Sequence, residues 1–385
     1  MRMKSVIGVI AAAVSAVLVI SCAKQAKVVE PIKIGAIFSV TGPASNLGAP
    51  EYKTAQMLVD EINAAGGILG RQVVLILKDS QGDPEKAISF AKQLIEEDKV
   101  FAIIGPSTSG ETMKIKDICE TAQTILISCA AAEVIVNPVA KYVFKTPQKD
   151  SQAAEKIFDV MNRLGIKKIG VLADNSGFGN AGKEQLEKLA PAKGITIVIA
   201  ETYDKAATDL TAVLTKVKAK KVEAVVNWSI VPAQSIIAKN MKQLAMTAPL
   251  FQSHGFGNIR YVTEAGEAAE GIIFPAGRLL VADVLPDDHP QKALLTKYKK
   301  DYEAKYGEEV STFGGHAYDA ILVLKSAIEK AQSVDKEAVR TAIETTTGLV
   351  GTAGIFNFSA EDHNGIDITG FEMLTVKNGA FALYQ

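Results

Sequence analysis

Apolar and polar positions along this chain follow two periods, and the changes of period mark its elements. Ile32-Lys-Ile-Gly-Ala-Ile-Phe38 is a short apolar run of the kind a buried strand requires, and Val73 to Leu77 and Val100-Phe-Ala-Ile-Ile104 are similar. Between the first two, Ala55, Leu58, Val59 and Ile62 recur at helical spacing over Tyr52 to Asn63, and Gly66-Gly67 stops the pattern. Asp83-Pro84 reads as an N-cap followed by Pro in the first turn, opening a helix to about Glu97. A helix over 111–121 and a strand over 124–128 come next. Helices at 151–164, 181–190, 209–219 and 233–244 then alternate with strands at 168–173, 195–200, 222–227 and 249–252. Late helices are expected at 290–305, 316–331 and 335–345. The end is a hairpin, Phe371 to Val376 and Ala380 to Tyr384, turning at Asn378-Gly379. Strand–helix alternation with apolar strands predicts an α/β fold of doubly wound parallel sheets covered on both faces. The blocks 31–145 and 150–275 share this plan without a residue-level repeat.

The N-terminus breaks the rhythm. Arg2 and Lys4 precede an apolar run from Val6 to Ile20, about 22 Å long as a helix and short of the ~20 residues that span a membrane. A basic segment before a short apolar one is a secretory leader. The run ends in Val19-Ile20-Ser21-Cys22, which resembles the bacterial lipobox, where the Cys becomes the lipidated first residue. The competing reading is an ordinary Cys in an uncleaved anchor. The expectation is therefore a leader over 1–21, lipid attachment at Cys22, a tether over 22–30, and residence in the periplasm or at the cell surface.

Composition narrows the classes that remain. Removing the leader leaves 364 of 385 residues, enough for two domains. The whole chain has 42 Lys and Arg against 43 Asp and Glu, and loss of Arg2 and Lys4 makes the balance slightly acidic, which argues against a nucleic-acid surface. With 48% hydrophobic and 22% charged residues the chain is globular, and three cysteines exclude a disulfide scaffold. Cys119 lies late in its helix. Cys129 is about five residues, or ~16 Å, up the strand that runs back from it. That exceeds the ~7 Å Cα separation a disulfide tolerates, so two free, buried thiols are expected.

Two glycine motifs suggest nucleotide sites, and neither survives inspection. Gly105-Pro-Ser-Thr-Ser-Gly110-Glu111-Thr112 fits a phosphate-binding loop except that Glu111 stands where the lysine must be, which reverses the interaction with phosphate. What remains is a Gly/Ser loop at a helix N-terminus, a seat for one carboxylate, with Ser107, Thr108 and Ser109 as hydroxyl donors. Plain N-capping by Ser109 is the bland alternative. Gly177-Phe-Gly179-Asn-Ala-Gly182 has Rossmann spacing, with Glu201 at the place of a ribose-binding acid. Phe178 would crowd a pyrophosphate, and an exported protein lacks dinucleotide pools, so this enzyme reading is set aside. No catalytic constellation stands out among His254, His289, His316 and His363, and no cofactor is expected. His289 and His363 fall in polar loops expected to be exposed. His254 follows an apolar strand, where open α/β sheets bind ligands; a satisfied loop histidine is the alternative. Trp228 ends the strand before it and lines the same crevice or fills the core.

Several segments, in order, resemble the type I periplasmic binding proteins of the branched-chain amino-acid type that feed ABC importers. They are Ile34-Gly-Ala to Thr41-Gly-Pro43, Ala64 to Arg71, Asp83-Pro84, Ile103 to Ser109, Asp174 to Gly179 and Gly315-His-Ala-Tyr-Asp319, and the likeness runs from Ile32 to the C-terminus. The resemblance implies two lobes joined by three crossovers, 31–147 with 278–356 and 148–277 with 357–385. It also implies a ligand trapped between them without chemistry, an ABC permease as partner, and a monomer attached to the membrane only by its lipid. By the family pattern, Ser109 and the backbone of Ala130, Ala131 and Ala132 hold a ligand carboxylate, while Phe178 and Leu47 cover it. Where amino-acid binders hold the ligand ammonium with a Thr hydroxyl and an acid, this chain has Ala132 and His254. An unpaired ammonium in a closed cleft costs several kcal/mol. The expected ligand is thus a small hydrophobic monocarboxylate, aromatic acids included, with a branched-chain amino acid as runner-up. A sensor module is the rival role.

Overall fold

The computed structural model describes residues 30–385, so the expected leader, Cys22 and nearly all of the tether lie outside the described residues. The apolar runs form two sheets. The first contains β1 (Ile32–Phe38), β2 (Val73–Asp79), β3 (Ala102–Ile104), β4 (Ile125–Ser128) and β5 (Val143–Lys145), all parallel, in the order β2-β1-β3-β4-β5. The second contains β6 (Lys168–Asp174), β7 (Thr196–Tyr203), β8 (Ala224–Trp228), β9 (Leu250–Gln252) and β10 (Ile273–Ala276), parallel in the order β7-β6-β8-β9-β10. After a small ribbon of β11 (Leu349–Val350) and β12 (Ile355–Phe356), the hairpin β13 (Glu372–Lys377) and β14 (Ala380–Leu383) adds antiparallel to β10. Its turn places Asn378 and Gly379 at φ +54° and +74°, as a tight hairpin turn requires.

Helices cover both faces of each sheet. Around the first run α1 (Ser45–Ala64), α2 (Pro84–Glu96) and α3 (Ser109–Thr121); around the second run α4 (Asp150–Arg163), α5 (Gly177–Leu189), α6 (Thr211–Ala219), α7 (Ala233–Gln243) and α8 (Ile259–Ala265). The late helices α9 (Lys292–Tyr306), α10 (Thr312–Ala331) and α11 (Lys336–Glu344) return to the first sheet, where α10 packs along α1 while α2 packs on α3 at the other face. This is the two-lobed, doubly wound α/β fold expected from the strand–helix alternation. In each sheet the order reverses beside the first strand, at β1/β3 and at β6/β8, so a crevice opens at the carboxyl ends of both pairs.

The chain passes between the sheets three times: after β5, after β10, and between β12 and β13. One side chain touches all three passages. Gln148 in the first donates to the Ala353 and Gly370 carbonyls flanking the third, at 2.7 and 3.1 Å. In the second, a Cβ on Gly277 would stand 3.2 Å from the Gln148 amide nitrogen.

Some elements differ from the sequence reading. The first helix starts at Ser45, upstream of Pro50, rather than at Tyr52; α5 starts at Gly177, not 181; α10 starts at Thr312, not 316. The short strands β5 and β10 carried too little pattern to be read as strands. Asp83 caps α2 as expected, accepting from the Glu85 N–H at 2.8 Å. Cys119 and Cys129 are free and buried, as expected. His363, expected in an exposed loop, is fully buried: it stacks on Phe144, and its ring nitrogens pair with the Val143 carbonyl at 2.8 Å and Glu344 at 3.1 Å. Both partners come from distant sequence, which is why polarity alone misplaced it.

Candidate functional site

The loops after β3 and β4 bring the first group together. Gly105 adopts φ +86°, and a Cβ there would lie 2.2 Å from the Ile37 carbonyl oxygen, so the chain can leave β3 this tightly only as glycine. Thr108, not Ser109, caps α3: its Oγ1 accepts from the Glu111 N–H at 3.4 Å and donates to the Glu111 carboxylate at 2.6 Å. Ser109, freed from capping, accepts from the Ala132 N–H at 3.3 Å and keeps its hydroxyl hydrogen to donate. Ser107 is spent within the protein, accepting from Ser39 N–H at 3.0 Å and donating to Glu51. Of the loop amides after β4, Ala130 donates to Ser128 Oγ at 3.1 Å and Ala132 to Ser109. The donors left to a carboxylate are the Ser109 hydroxyl and the Ala131 N–H, beside the N-terminus of α3.

These groups form one wall of a narrow cavity between the two sheets, with room of about 20 Å³ as the walls now stand. Leu47, Ala130, Ala131 and Phe313 line it from the first side; Phe178, Ile230, His254 and Gly255 line it from the second. Seven residues singled out from sequence therefore meet at one cavity: Leu47, Ser107, Ser109, Ala130, Ala131, Phe178 and His254. Ala132 and Trp228 do not line it. Ala132 is buried with Ile135 and Val136 in the core behind the loop. Trp228 is fully buried beneath the wall, its ring 5.8 Å from Phe178 and 5.6 Å from His254. Sequence reasoning missed Cys129, Pro147, Ile230, Phe313 and His316 as lining residues. His316 had a signal, since it lies inside the Gly315-to-Asp319 segment that carries the family likeness.

Close backbone approaches hold the walls together. A Cβ on Gly177 would lie 2.8 Å from Gly110, so the N-termini of α3 and α5 meet without side chains. Gly179 and Gly182 are likewise packing positions; a Cβ would stand 2.1 Å from the Asp174 carbonyl oxygen or the Trp228 ring respectively. That accounts for the Rossmann-like spacing without a nucleotide. The Thr312 N–H donates to the Gly257 carbonyl at 3.1 Å across the cleft. Pro50 has no N–H for the Asn46 carbonyl four residues earlier, and Asn258 from the opposite side donates to that carbonyl at 2.8 Å.

His254 and His316 face the cavity from opposite walls. Neither His254 nitrogen has a partner, nor does His316 Nδ1. Phe178, Trp228 and Phe371 surround His254 in T-shaped arrangements at centroid distances of 5.2 to 5.6 Å. Burial, reinforced by the nearby Lys145 charge, pushes His316 down to about 3 and His254 well below the usual imidazole range, so both are neutral. Lys145 is itself fully buried and donates to the Ala131, Pro147 and Gln148 carbonyls at 2.8, 2.8 and 3.1 Å. Burial lowers its ammonium, and the neighbouring Asp150 carboxyl is raised by the same cause. No Asp, Glu, Lys or Arg lines the cavity among the described residues.

Comparison with known proteins places this architecture. The family described as periplasmic binding protein matches residues 31–380. A curated relative, the Leu/Ile/Val-binding protein BraC3 of Rhizobium johnstonii, is 31% identical over 333 residues, covering 86% of this chain and 88% of its own. An extracellular ligand-binding receptor from Rhodopseudomonas palustris HaA2 superposes with TM-score 0.86 at 28% identity, covering 92% of this chain and 99% of its own. The branched-chain amino acid transporter substrate binding protein LivJ of Streptococcus pneumoniae, solved in complex with isoleucine, superposes with TM-score 0.80 at 29% identity, over 91% of this chain and 97% of its own.

Proposed function

The chain belongs to the periplasmic binding protein family, and on that premise we propose that it is the ligand-capturing component of an ABC importer, closing two lobes over a small hydrophobic carboxylate. The lobes are taken as 31–147 with 278–356 and 148–277 with 357–385. One observation carries the ligand class: the cavity has carboxylate donors at Ser109 and Ala131 but no acidic side chain on its walls. A carboxylate there meets the positive end of α3 and, at longer range, the Lys145 ammonium. A ligand ammonium meets no counter-charge and costs several kcal/mol to desolvate. Leu47, Ala130, Ile230 and Phe178 supply the apolar cover; Ser107 lines the wall with its hydroxyl already spent on Glu51, and Ala132 and Trp228 act one layer behind. No chemistry on the ligand and no cofactor is part of this reading.

Calorimetry on the mature protein tests it. Benzoate-type acids should bind and leucine weakly or not at all; tight leucine binding with no response to the acids overturns it. The second reading is a branched-chain amino acid, favoured by the names of the Rhizobium relative and of the isoleucine-bound Streptococcus neighbour.

Export and anchoring complete the proposal: cleavage before Cys22, lipid on Cys22, monomeric delivery to a permease. Cys22→Ser should move the protein from the membrane fraction to the soluble extract, and an unchanged distribution would refute the anchor.

A further inference from the structure

We propose that His254 and His316 form a second polar end of the cavity that reads an uncharged oxygen on the ligand, so the captured carboxylate carries a hydroxyl or carbonyl group away from its acid end. The inference rests on the carboxylate reading above and adds a substituent to it.

Two ends of the cavity can be told apart. Ser109 lies toward the mouth of the cleft, since its neighbour Gly110, with Phe178 and Ile230, also borders the depression outside. The imidazoles lie toward the crossovers. The His316 carbonyl accepts from Thr146 in the first passage at 2.9 Å, and the His254 ring stands 5.5 Å from Phe371, which leads out of the third. Ser109, His254 and His316 line the same cavity as Leu47 and Phe178, so one small ligand has both kinds of polar group within its walls.

The imidazoles are unusual in having nothing to do within the protein. His254 is 7% exposed and His316 6%, yet three of their four ring nitrogens are buried without a partner. Buried polar atoms are nearly always paired, and leaving them bare is costly. His363, equally buried, has both nitrogens paired, so the fold satisfies a histidine where no ligand is meant to. A neutral imidazole offers one N–H donor and one bare acceptor. Two of them match a hydroxyl, which donates and accepts, or a carbonyl, which accepts from both. A ligand ammonium in their place would meet the same burial, and the same nearby Lys145 charge, that together keep the imidazoles unprotonated.

The test is calorimetry with benzoate, the three monohydroxybenzoates and leucine. The best hydroxy isomer should bind wild-type protein about tenfold more tightly than benzoate. His316→Leu should bring that ratio to within about threefold of one, and His316→Gln, which keeps a donor and an acceptor, should retain part of the preference. Benzoate binding with no hydroxy isomer favoured overturns this inference and leaves the carboxylate reading standing. Binding of leucine alone, or of none of these probes, overturns both. If His316→Leu weakens benzoate and the hydroxy acids equally, the assignment to His316 fails. The wild-type ratio is decisive even if a variant does not fold.

Discussion

The two walls of the cleft rise from sheets of the same strand order, yet what stands behind them is opposite in kind. Behind the first is a chain of polar groups: Glu51 with Ser107, Ser107 with Ser39, and Ser39 with Glu111 at 3.1 Å. Both carboxyls are buried, each with one oxygen unpaired, and burial raises both above the usual carboxylate range. Behind the second wall are rings: Trp228 under Phe178 and His254, with Gly182 giving the indole its room. Directional donors must be held still, so Ser107 is spent on Glu51 and Ser39 beside Ser109. A cover needs shape only, and close-packed aromatics provide it. The difference separates recognition from closure.

Removing the ring platform should produce the largest effect. Trp228→Ala is expected to cost about 3–5 kcal/mol in urea unfolding, because the indole is fully buried and the cavity cannot refill. A loss below 1 kcal/mol would mean that the second wall does not depend on it. Acid comes next. His254 and His316 are neutral when folded and protonate near 6.5 when unfolded, so the unfolded state binds more protons below that pH and their contribution makes stability fall as pH falls, for His316 down to about 3. His316 should account for about 2 kcal/mol by pH 5, from the 1.36 kcal/mol that each pKa unit represents, and His254 acts in the same direction. The change in unfolding free energy between pH 7 and 5 should differ by about 2 kcal/mol between wild type and His316→Leu, and an equal change in both would place the titration elsewhere.

A smaller effect belongs to the first wall. Ser109→Ala should weaken carboxylate binding about tenfold, one charged hydrogen bond, with little change in melting temperature. Loss of stability without loss of affinity would show that the hydroxyl serves Ala132 alone. The least is expected at the seam, where Asn258→Ala should weaken ligand binding by about 1 kcal/mol, seen mainly as faster release in stopped-flow experiments. Equal affinity and release would mean the Asn46–Asn258 contact does not hold the walls together.

Most of the scaffold was legible because buried parallel strands leave continuous apolar runs, and Asp83-Pro84 and Asn378-Gly379 have backbone demands few other pairs meet. The start of α1 was hidden because Pro50 reads as a break, although here it interrupts a helix already begun. The glycines of α5 read as a loop because their reason, the nearness of Gly110, Asp174 and Trp228, is tertiary. Ser109, Ala130, Ala131, Phe178 and Leu47 came from the family likeness, and the structure brings them together around one cavity. His316 was missed because a lone histidine in an amphipathic helix looks the same whether its ring meets core, solvent or a cavity.

Pro50 has one more consequence. An ordinary helix spends every interior carbonyl on itself, so an incoming amide must share an acceptor already in use. The Asn46 carbonyl has no such amide four residues on, and Asn258 holds it across the seam. A flaw in the ladder of one helix thus becomes a clock: it adds about one hydrogen bond to the closed state and sets a bond that must break before the ligand can leave. Replacing Pro50 with alanine would give the helix back its missing rung and shorten the time a ligand is kept.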